Sequence, residues 1–192
     1  IGYTPFEQVL NSKDFGVPQN RERIYIVAFR NDIAPKEFTF PTPTDSTKKI
    51  ADIMEEKPVS SRYYLSDCYL ETLRRHKARH EAKGHGFGYE VRSLDDVAGA
   101  IVCGGMGRER NLIVDKRQTD LTPVTHIKGE INKEGIRKMT PREWARLQGF
   151  PDDYILPLAD VHLYKQFGNS VTVPVIKAIA QKIRKVLENG NE

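Results

Sequence analysis

Apolar residues fall in short runs whose spacing changes along the chain, and each change marks a part. Residues 6–10 and 23–29 read as strands. The second, Arg-Ile-Tyr-Ile-Val-Ala-Phe, is β-branched, aromatic and nearly continuous in apolar residues, which predicts a strand covered on both faces. Residues 11–22 are rich in turn formers and carry Pro18, so they predict a long hairpin connection. Pro35, Pro41 and Pro43, with Thr42, Thr44 and Ser46, predict a linker and a first domain boundary. A helix is expected from Leu65 or Ser66 to Lys83, with Ser66 as N-cap and Gly84 just past its end. Leu70, Leu73, Lys77 and His80 share one face of it, while Arg74, Arg75, His76, Arg79 and Lys83 lie on the others. Strand-like runs follow at 89–92, 98–103 and 111–114, so the middle reads as a small, irregular, mostly β unit with one basic helix. Thr140-Pro-Arg-Glu143 is a capping box with proline at the first helical position, and Gly149 and Pro151 stop that helix. A last helix over 174–188 has an expected apolar stripe of Ile176, Ile179, Ala180, Ile183 and Leu187. A Gly168-Asn-Ser turn leads into it.

Composition narrows the classes. With 192 residues, 39% hydrophobic and 29% charged, the chain has enough apolar sequence for a packed core and is not globally disordered. A formal net charge of +4 favours an anionic partner. Cys68 and Cys103 stand far apart without metal-ligand spacing, so no metal site or disulfide framework is expected. Both are expected to be small buried residues, in keeping with a reduced cytoplasm. No run approaches membrane-spanning length, and no signal peptide is visible at the start Ile-Gly-Tyr-Thr-Pro. The first residue is Ile rather than Met, which suggests part of a longer protein.

Three segments concentrate candidate chemistry. In Gln19-Asn-Arg-Glu-Arg23, two arginines at i, i+2 point the same way if the strand has already begun. They would present two forked cations suited to a phosphate or a base carbonyl. The same pair also fits a surface strand end with salt-bridged arginines. Gly168-Asn-Ser-Val171 can present amide and hydroxyl groups to a polar small molecule, or be an ordinary helix-entry loop. The Gly104–Arg110 stretch and the basic helix are candidate DNA contacts, with Arg108 and Arg110 suited to guanine edges. A mobile hairpin tip and a solvated charged helix are the plainer alternatives. Tyr164 and Phe167 are expected in the core.

Phe15-Gly-Val-Pro-Gln-Asn-Arg-Glu-Arg-Ile24, Lys138-Met-Thr-Pro-Arg-Glu-Trp-Ala-Arg-Leu-Gln-Gly-Phe-Pro151 and Tyr164-Lys-Gln-Phe-Gly-Asn-Ser-Val-Thr-Val-Pro174 occur in this order. Together they resemble the last motifs of the DNA cytosine-5 methyltransferase family. The resemblance implies an α/β fold. Residues 1–43 would be the terminal strand pair of a Rossmann-like methyltransferase sheet, and 44–160 a target recognition domain with its organising helix. Residues 161–192 would be a cofactor turn and the returning helix. It also implies a bacterial, cytoplasmic enzyme, most simply of restriction–modification, that methylates C5 of a flipped cytosine in duplex DNA from S-adenosylmethionine. By that resemblance Arg23 holds the flipped base at its O2 edge, and Arg21 and Gln19 shape the pocket. Asn169, Ser170 and Val171 contact the cofactor, while Arg108, Arg110, Arg74, Arg75 and Arg79 contact DNA. The family's Pro-Cys nucleophile, Glu-Asn-Val and Phe-x-Gly-x-Gly motifs are absent from this sequence. The missing catalytic part would therefore be a partner, and the chain alone inactive. A Thr-Leu pair expected before the glycine-rich stretch is replaced by Ala100-Ile101. A recognition subunit of a split methylase, or an RNA methyltransferase of the same family, are the alternatives.

Overall fold

The computed structural model describes residues 2–44, 46–104, 107–124 and 127–189. Gly105 and Met106, inside the stretch expected to read DNA, lie outside the described residues, as does Asp45 in the linker. Strand β1 (Tyr3–Asn11) carries on through a short 3-10 turn, Ser12–Phe15, into β2 (Gln19–Asn20) and β3 (Glu22–Arg30). β1 and β3 pair antiparallel with Phe6 opposite Val27 and Leu10 opposite Arg23. Alternation then sorts the ribbon's faces. Leu10, Val27 and Phe29 pack on Phe40 and the last helix, while Tyr3, Val9, Ile24 and Ile26 remain exposed. The expectation that β3 is covered on both faces therefore fails among the described residues.

The connection from 11 to 22 is more than a loop, since β2 pairs in parallel with β5 (Ala98–Gly99), some 80 residues on. After two 3-10 turns, Ile50–Ile53 and Ser61–Tyr63, the middle region forms α1 (Asp67–Glu81), capped by Ser66 Oγ accepting from the Tyr69 amide at 3.2 Å. Leu70 and Leu73 pin it to Leu65, Leu112 and Ile136. Strands β4 (Val91–Arg92), β6 (Leu112–Val114) and β7 (Ile136–Arg137) form a small mixed sheet in that order. Helix α2 (Pro141–Leu147) begins with the reciprocal bonds its sequence requires: Thr140 Oγ1 accepts from the Glu143 amide, and Glu143 Oε2 accepts from the Thr140 amide. Gly149 ends it at φ 76°, and a Cβ there would lie 2.4 Å from Pro174.

Two expectations about the C-terminal part need correction. Gly168 and Asn169 are not a turn: they are the last residues of α3 (Asp160–Asn169). Gly168 is needed for packing, because a Cβ there would meet the Cys103 backbone nitrogen at 2.5 Å. In α4 (Val173–Asn189) the buried residues are Val175 and Ile179, while Ile176 and Leu187 are exposed. Val175 and Ile176 are adjacent apolar candidates, and the aromatic group Phe6, Phe29, Phe38 and Phe40 selects the first. The largest core runs from Ile50 and Ile53 through Ile101 and Ile113 to Trp144, Tyr164 and Phe167, so it joins the middle region to α2 and α3. No helix among the described residues is long and apolar enough to cross a membrane.

Candidate functional site

Three stretches far apart in sequence converge on buried amides. Gln19 is fully buried; its Nε2 donates to the Leu147 carbonyl at 2.8 Å and its Oε1 accepts from the Ile101 amide at 3.1 Å. Arg21 sits beside it and donates to the carbonyls of Ile101, at 2.7 Å, and Ser170, at 3.2 Å. Burial pushes the Arg21 guanidinium below its ordinary value, and the neighbouring charge of Arg23 adds to this. Gln148, at the end of α2, completes the knot. Its Nε2 donates to the Phe167 and Ser170 carbonyls, and its Oε1 accepts from Thr172 and Gln19. Thr172 in turn bonds Ser12 at 2.7 Å. Residues 19–21, 101 and 167–172 are thus fixed relative to one another by buried bonds, each costly to leave unmade.

The candidate residues divide within this frame. Arg21 is spent on backbone carbonyls. Arg23 is exposed at the start of β3, with one bond, Nη1 to the Glu22 carbonyl at 2.6 Å. Asn169 is exposed, and its Oδ1 accepts from the Cys103 thiol at 2.9 Å. Ser170 turns its hydroxyl back to the Phe167 carbonyl at 3.0 Å, and the Val171 side chain is exposed. Cys103 and Cys68 are both exposed free thiols, against the expectation of burial. Cys103 cannot sink inward because its backbone already abuts Gly168, and Cys68 lies in the first turn of α1, away from Leu70 and Leu73.

Beside this frame lies a pocket of about 300 Å³ lined by Cys103, Arg108, Tyr164 and Lys165 among others. The Arg108 guanidinium lies over the Tyr164 ring, 5.4 Å from its centroid. The Tyr164 hydroxyl is buried and donates to the Met139 carbonyl at 2.5 Å; burial raises it well above the ordinary phenol range. A larger cleft of about 880 Å³, lined by Lys48, Glu56, Lys116 and Asp152 among others, contains none of the candidate residues. Two cations on its wall, Arg117 and Arg146, are already tied to Asp115 and Asp152.

Arg74, Arg75 and Arg79 stand on α1 and make no hydrogen bond to the 19–23 or 169–171 segments among the described residues. Arg74 pairs with exposed Glu134 at 2.5 Å, and Arg75 reaches Glu71 at 3.9 Å. Arg110 is exposed and makes no side-chain hydrogen bond among the described residues. Gln148, Thr172, Glu109 and Asn111 were not among the sequence candidates, yet all four are buried polar residues that fix the frame or its rim. Their signal was faint: Gln148 and Thr172 are lone polar residues between apolar or glycine neighbours, while Glu109 and Asn111 flank Arg110 in a polar stretch like that of many loops. Among the described residues no group of His, Cys, Asp or Glu is arranged to hold a metal ion.

Comparison with known proteins gives a consistent picture. Residues 1–185 match the model of the family described as C-5 cytosine-specific DNA methylase. Over 190 residues the chain is 60% identical to the type II methyltransferase M.HpaII of Haemophilus parainfluenzae, covering 98% of this chain and 53% of that protein. It is 41% identical to the type II methyltransferase M.SsoII of Shigella sonnei, covering 98% of this chain and 46% of that protein. The chain therefore spans about half the length of these relatives. Among solved structures, the S. pombe Dnmt2 methyltransferase superposes over the whole chain and 60% of its own, with a TM-score of 0.66 and 20% identity. The Entamoeba histolytica methyltransferase EhMeth does so over 55% of its own chain, with a TM-score of 0.65 and 18% identity. At these identities the two structures speak to the fold alone: this is a C-terminal portion of a Rossmann-like methyltransferase architecture.

Proposed function

The chain belongs to the C-5 cytosine-specific DNA methylase family, and on that premise we propose that it is the C-terminal part of a type II modification enzyme. The whole enzyme would methylate C5 of cytosine at a specific duplex DNA site, using S-adenosylmethionine. One observation carries the reading. The buried Gln19–Arg21–Gln148 knot holds the exposed Arg23 on one side and the exposed Asn169–Val171 edge on the other. A base site and a cofactor site in such an enzyme must keep a fixed spacing, because the reacting atoms need to be held in alignment.

In this reading the target cytosine leaves the duplex stack, and Arg23 offers its forked donors to the O2 edge. Arg21 acts through the Ile101 and Ser170 carbonyls it donates to, and Gln19 through the Ile101 amide it accepts from, keeping 101 and 170 in place. The residues fit the polar end of a small zwitterion. Asn169 has no hydrogen bond on its amide nitrogen among the described residues, Val171 adds an apolar wall, and Ser170 retains acceptor capacity. S-adenosylmethionine supplies there an electrophilic methyl group on a cationic sulfur. The thiolate that adds to cytosine C6 belongs to the remainder of the enzyme, since no Pro-Cys dipeptide occurs here. This chain alone is accordingly expected to transfer no methyl group. The middle region, with Arg74, Arg75, Arg79, Arg108 and Arg110, would take the DNA. The expected setting is a bacterial cytoplasm.

The test uses the full-length enzyme and labelled S-adenosylmethionine. Label is expected on cytosine C5 of duplex DNA at one sequence. Arg23→Ala should slow single-turnover transfer roughly ten- to hundredfold, the worth of one charged hydrogen bond, with DNA binding nearly unchanged. Label confined to RNA, or a wild-type rate in Arg23→Ala, would overturn the assignment.

A further inference from the structure

Glu109 is the chain neighbour of both Arg108 and Arg110, yet it is only 3% exposed. Its Oε1 accepts from the Tyr69 hydroxyl on α1 at 3.1 Å and lies 3.2 Å from Lys138 Nζ, just after β7. The same ammonium lies over the Tyr69 ring, 5.3 Å from its centroid. Burial and the Glu109 charge push the Tyr69 phenol up to about 12, so it stays a donor at neutral pH. The backbone is held as well. The Glu109 carbonyl accepts from the Glu90 amide at 2.9 Å, and buried Asn111 closes both polar groups of Gly99. Residues 109–111 form one 3-10 turn, in which successive side chains diverge by about 120°. With Glu109 anchored inward, Arg108 is directed over Tyr164 and Arg110 to solvent.

We propose that Glu109 is the positioning residue for sequence readout: its carboxylate, held by Tyr69 and Lys138, aims Arg110 at a base edge in the DNA groove. The inference rests on the functional reading above, since it presumes that this surface meets duplex DNA. The Glu109 carboxylate ties this turn to α1 through Tyr69 and to the segment after β7 through Lys138, and only Arg110 of the turn is exposed. It thereby fixes the Cα–Cβ direction from which the exposed Arg110 side chain departs, which limits where its forked donors can meet a guanine edge.

The experiment measures binding of the full-length enzyme to duplex oligonucleotides carrying its methylated site and every single-base variant of it. Arg110→Ala should lower discrimination at one base position about tenfold, within what one bidentate contact supplies. Glu109→Ala should lower it at the same position by a similar factor. Adding Arg110→Ala to Glu109→Ala should cost no more than about twofold further, because the two act as one unit. Tyr69→Phe leaves Lys138 on the carboxylate and should give a smaller loss, about threefold, at that same position. It serves as the test if Glu109→Ala proves unfolded by its melting profile. A purely structural role would weaken cognate and variant binding alike, and that uniform loss would overturn the proposal. So would wild-type discrimination in the variants, or an undiminished effect of Arg110→Ala in the Glu109→Ala background. Both of those results leave the enzyme's function standing, whereas a wild-type enzyme that prefers no duplex sequence overturns the functional reading too.

Discussion

The α2 region and α1 each carry three arginines and use them in opposite ways. Around α2, Arg137 is completely buried, held by Glu143 at 2.7 Å and Asp115 at 3.0 Å. Arg142 donates to the Pro151 and Tyr154 carbonyls, and Arg146 to those of Ile53 and Met54 as well as to Asp152. On α1, Arg74 and Arg75 face exposed carboxylates, and Arg79 makes no ion pair among the described residues. One residue type therefore does two jobs. Where carbonyls and carboxylates are buried together, the planar fork ties chain segments into a frame. Where they are not, the same fork stays hydrated and available to phosphate. Charge count alone does not distinguish the frame from the binding surface.

The contrast is broken most severely at Arg137. Arg137→Met leaves buried Glu143 without its counter-charge and removes one of the two guanidinium partners of Asp115, and it should cost about 3–5 kcal/mol in urea unfolding. A loss under about 1 kcal/mol would mean the hub does not hold the frame together. The same hub has a pH signature. Hydrogen bonds from Arg117, with help from the Arg137 charge, hold the Asp115 carboxyl well below the usual carboxylate range. The unfolded chain takes up a proton near pH 4 that the folded one resists. Asp115's contribution is thus complete above about pH 4 and is lost as the pH falls below it. Asp115→Asn should be less stable than wild type at neutral pH, with the gap narrowing in acid melts; a constant gap would contradict the coupling.

Gln148→Ala removes the amide shared by Phe167, Ser170, Thr172 and Gln19. About 1–3 kcal/mol of stability should go with it. In the full-length enzyme, calorimetry should find weaker S-adenosylmethionine binding, because the Asn169–Val171 edge loses its tether. Unchanged cofactor affinity would separate the knot from the cofactor site. The smallest stability effects belong to α1. Arg75→Ala and Arg79→Ala should each change folding stability by less than about 0.5 kcal/mol. Each should also shallow the salt dependence of DNA binding by about one unit. An unchanged salt slope would remove α1 from the DNA surface.

What could be read from the sequence follows the range of the interactions involved. The Thr140–Glu143 capping box, the Ser66 cap and the β3 run were legible because each is decided within four or five residues. The pairing of Gln19–Asn20 with Ala98–Gly99 was not, since nothing local to either pair announces the other. Gly168 reads as a turn former and is instead helical, because the constraint is a backbone 65 residues away at Cys103. Likewise, the choice of Val175 over Ile176 as the buried position is made by Phe40 and Leu10, not by α4's own periodicity. Of the candidate site, the residue types and their neighbourhoods could be named, and the family resemblance set Arg23 apart from Arg21, but the local pattern alone does not say which is spent on carbonyls and which is left exposed.

The central claim is that the framework and the reading surface are separable parts of one DNA-methylating enzyme. It is tested most directly by exchanging residues 65–134, with the frame positions Ile101 and Asp115 retained, in the full-length enzyme, for the corresponding segment of a relative that methylates a different site. The methylated sequence, mapped base by base, should become the donor's, while the product remains 5-methylcytosine. Retention of the original site by an active chimera would place sequence choice outside the middle region and contradict the account.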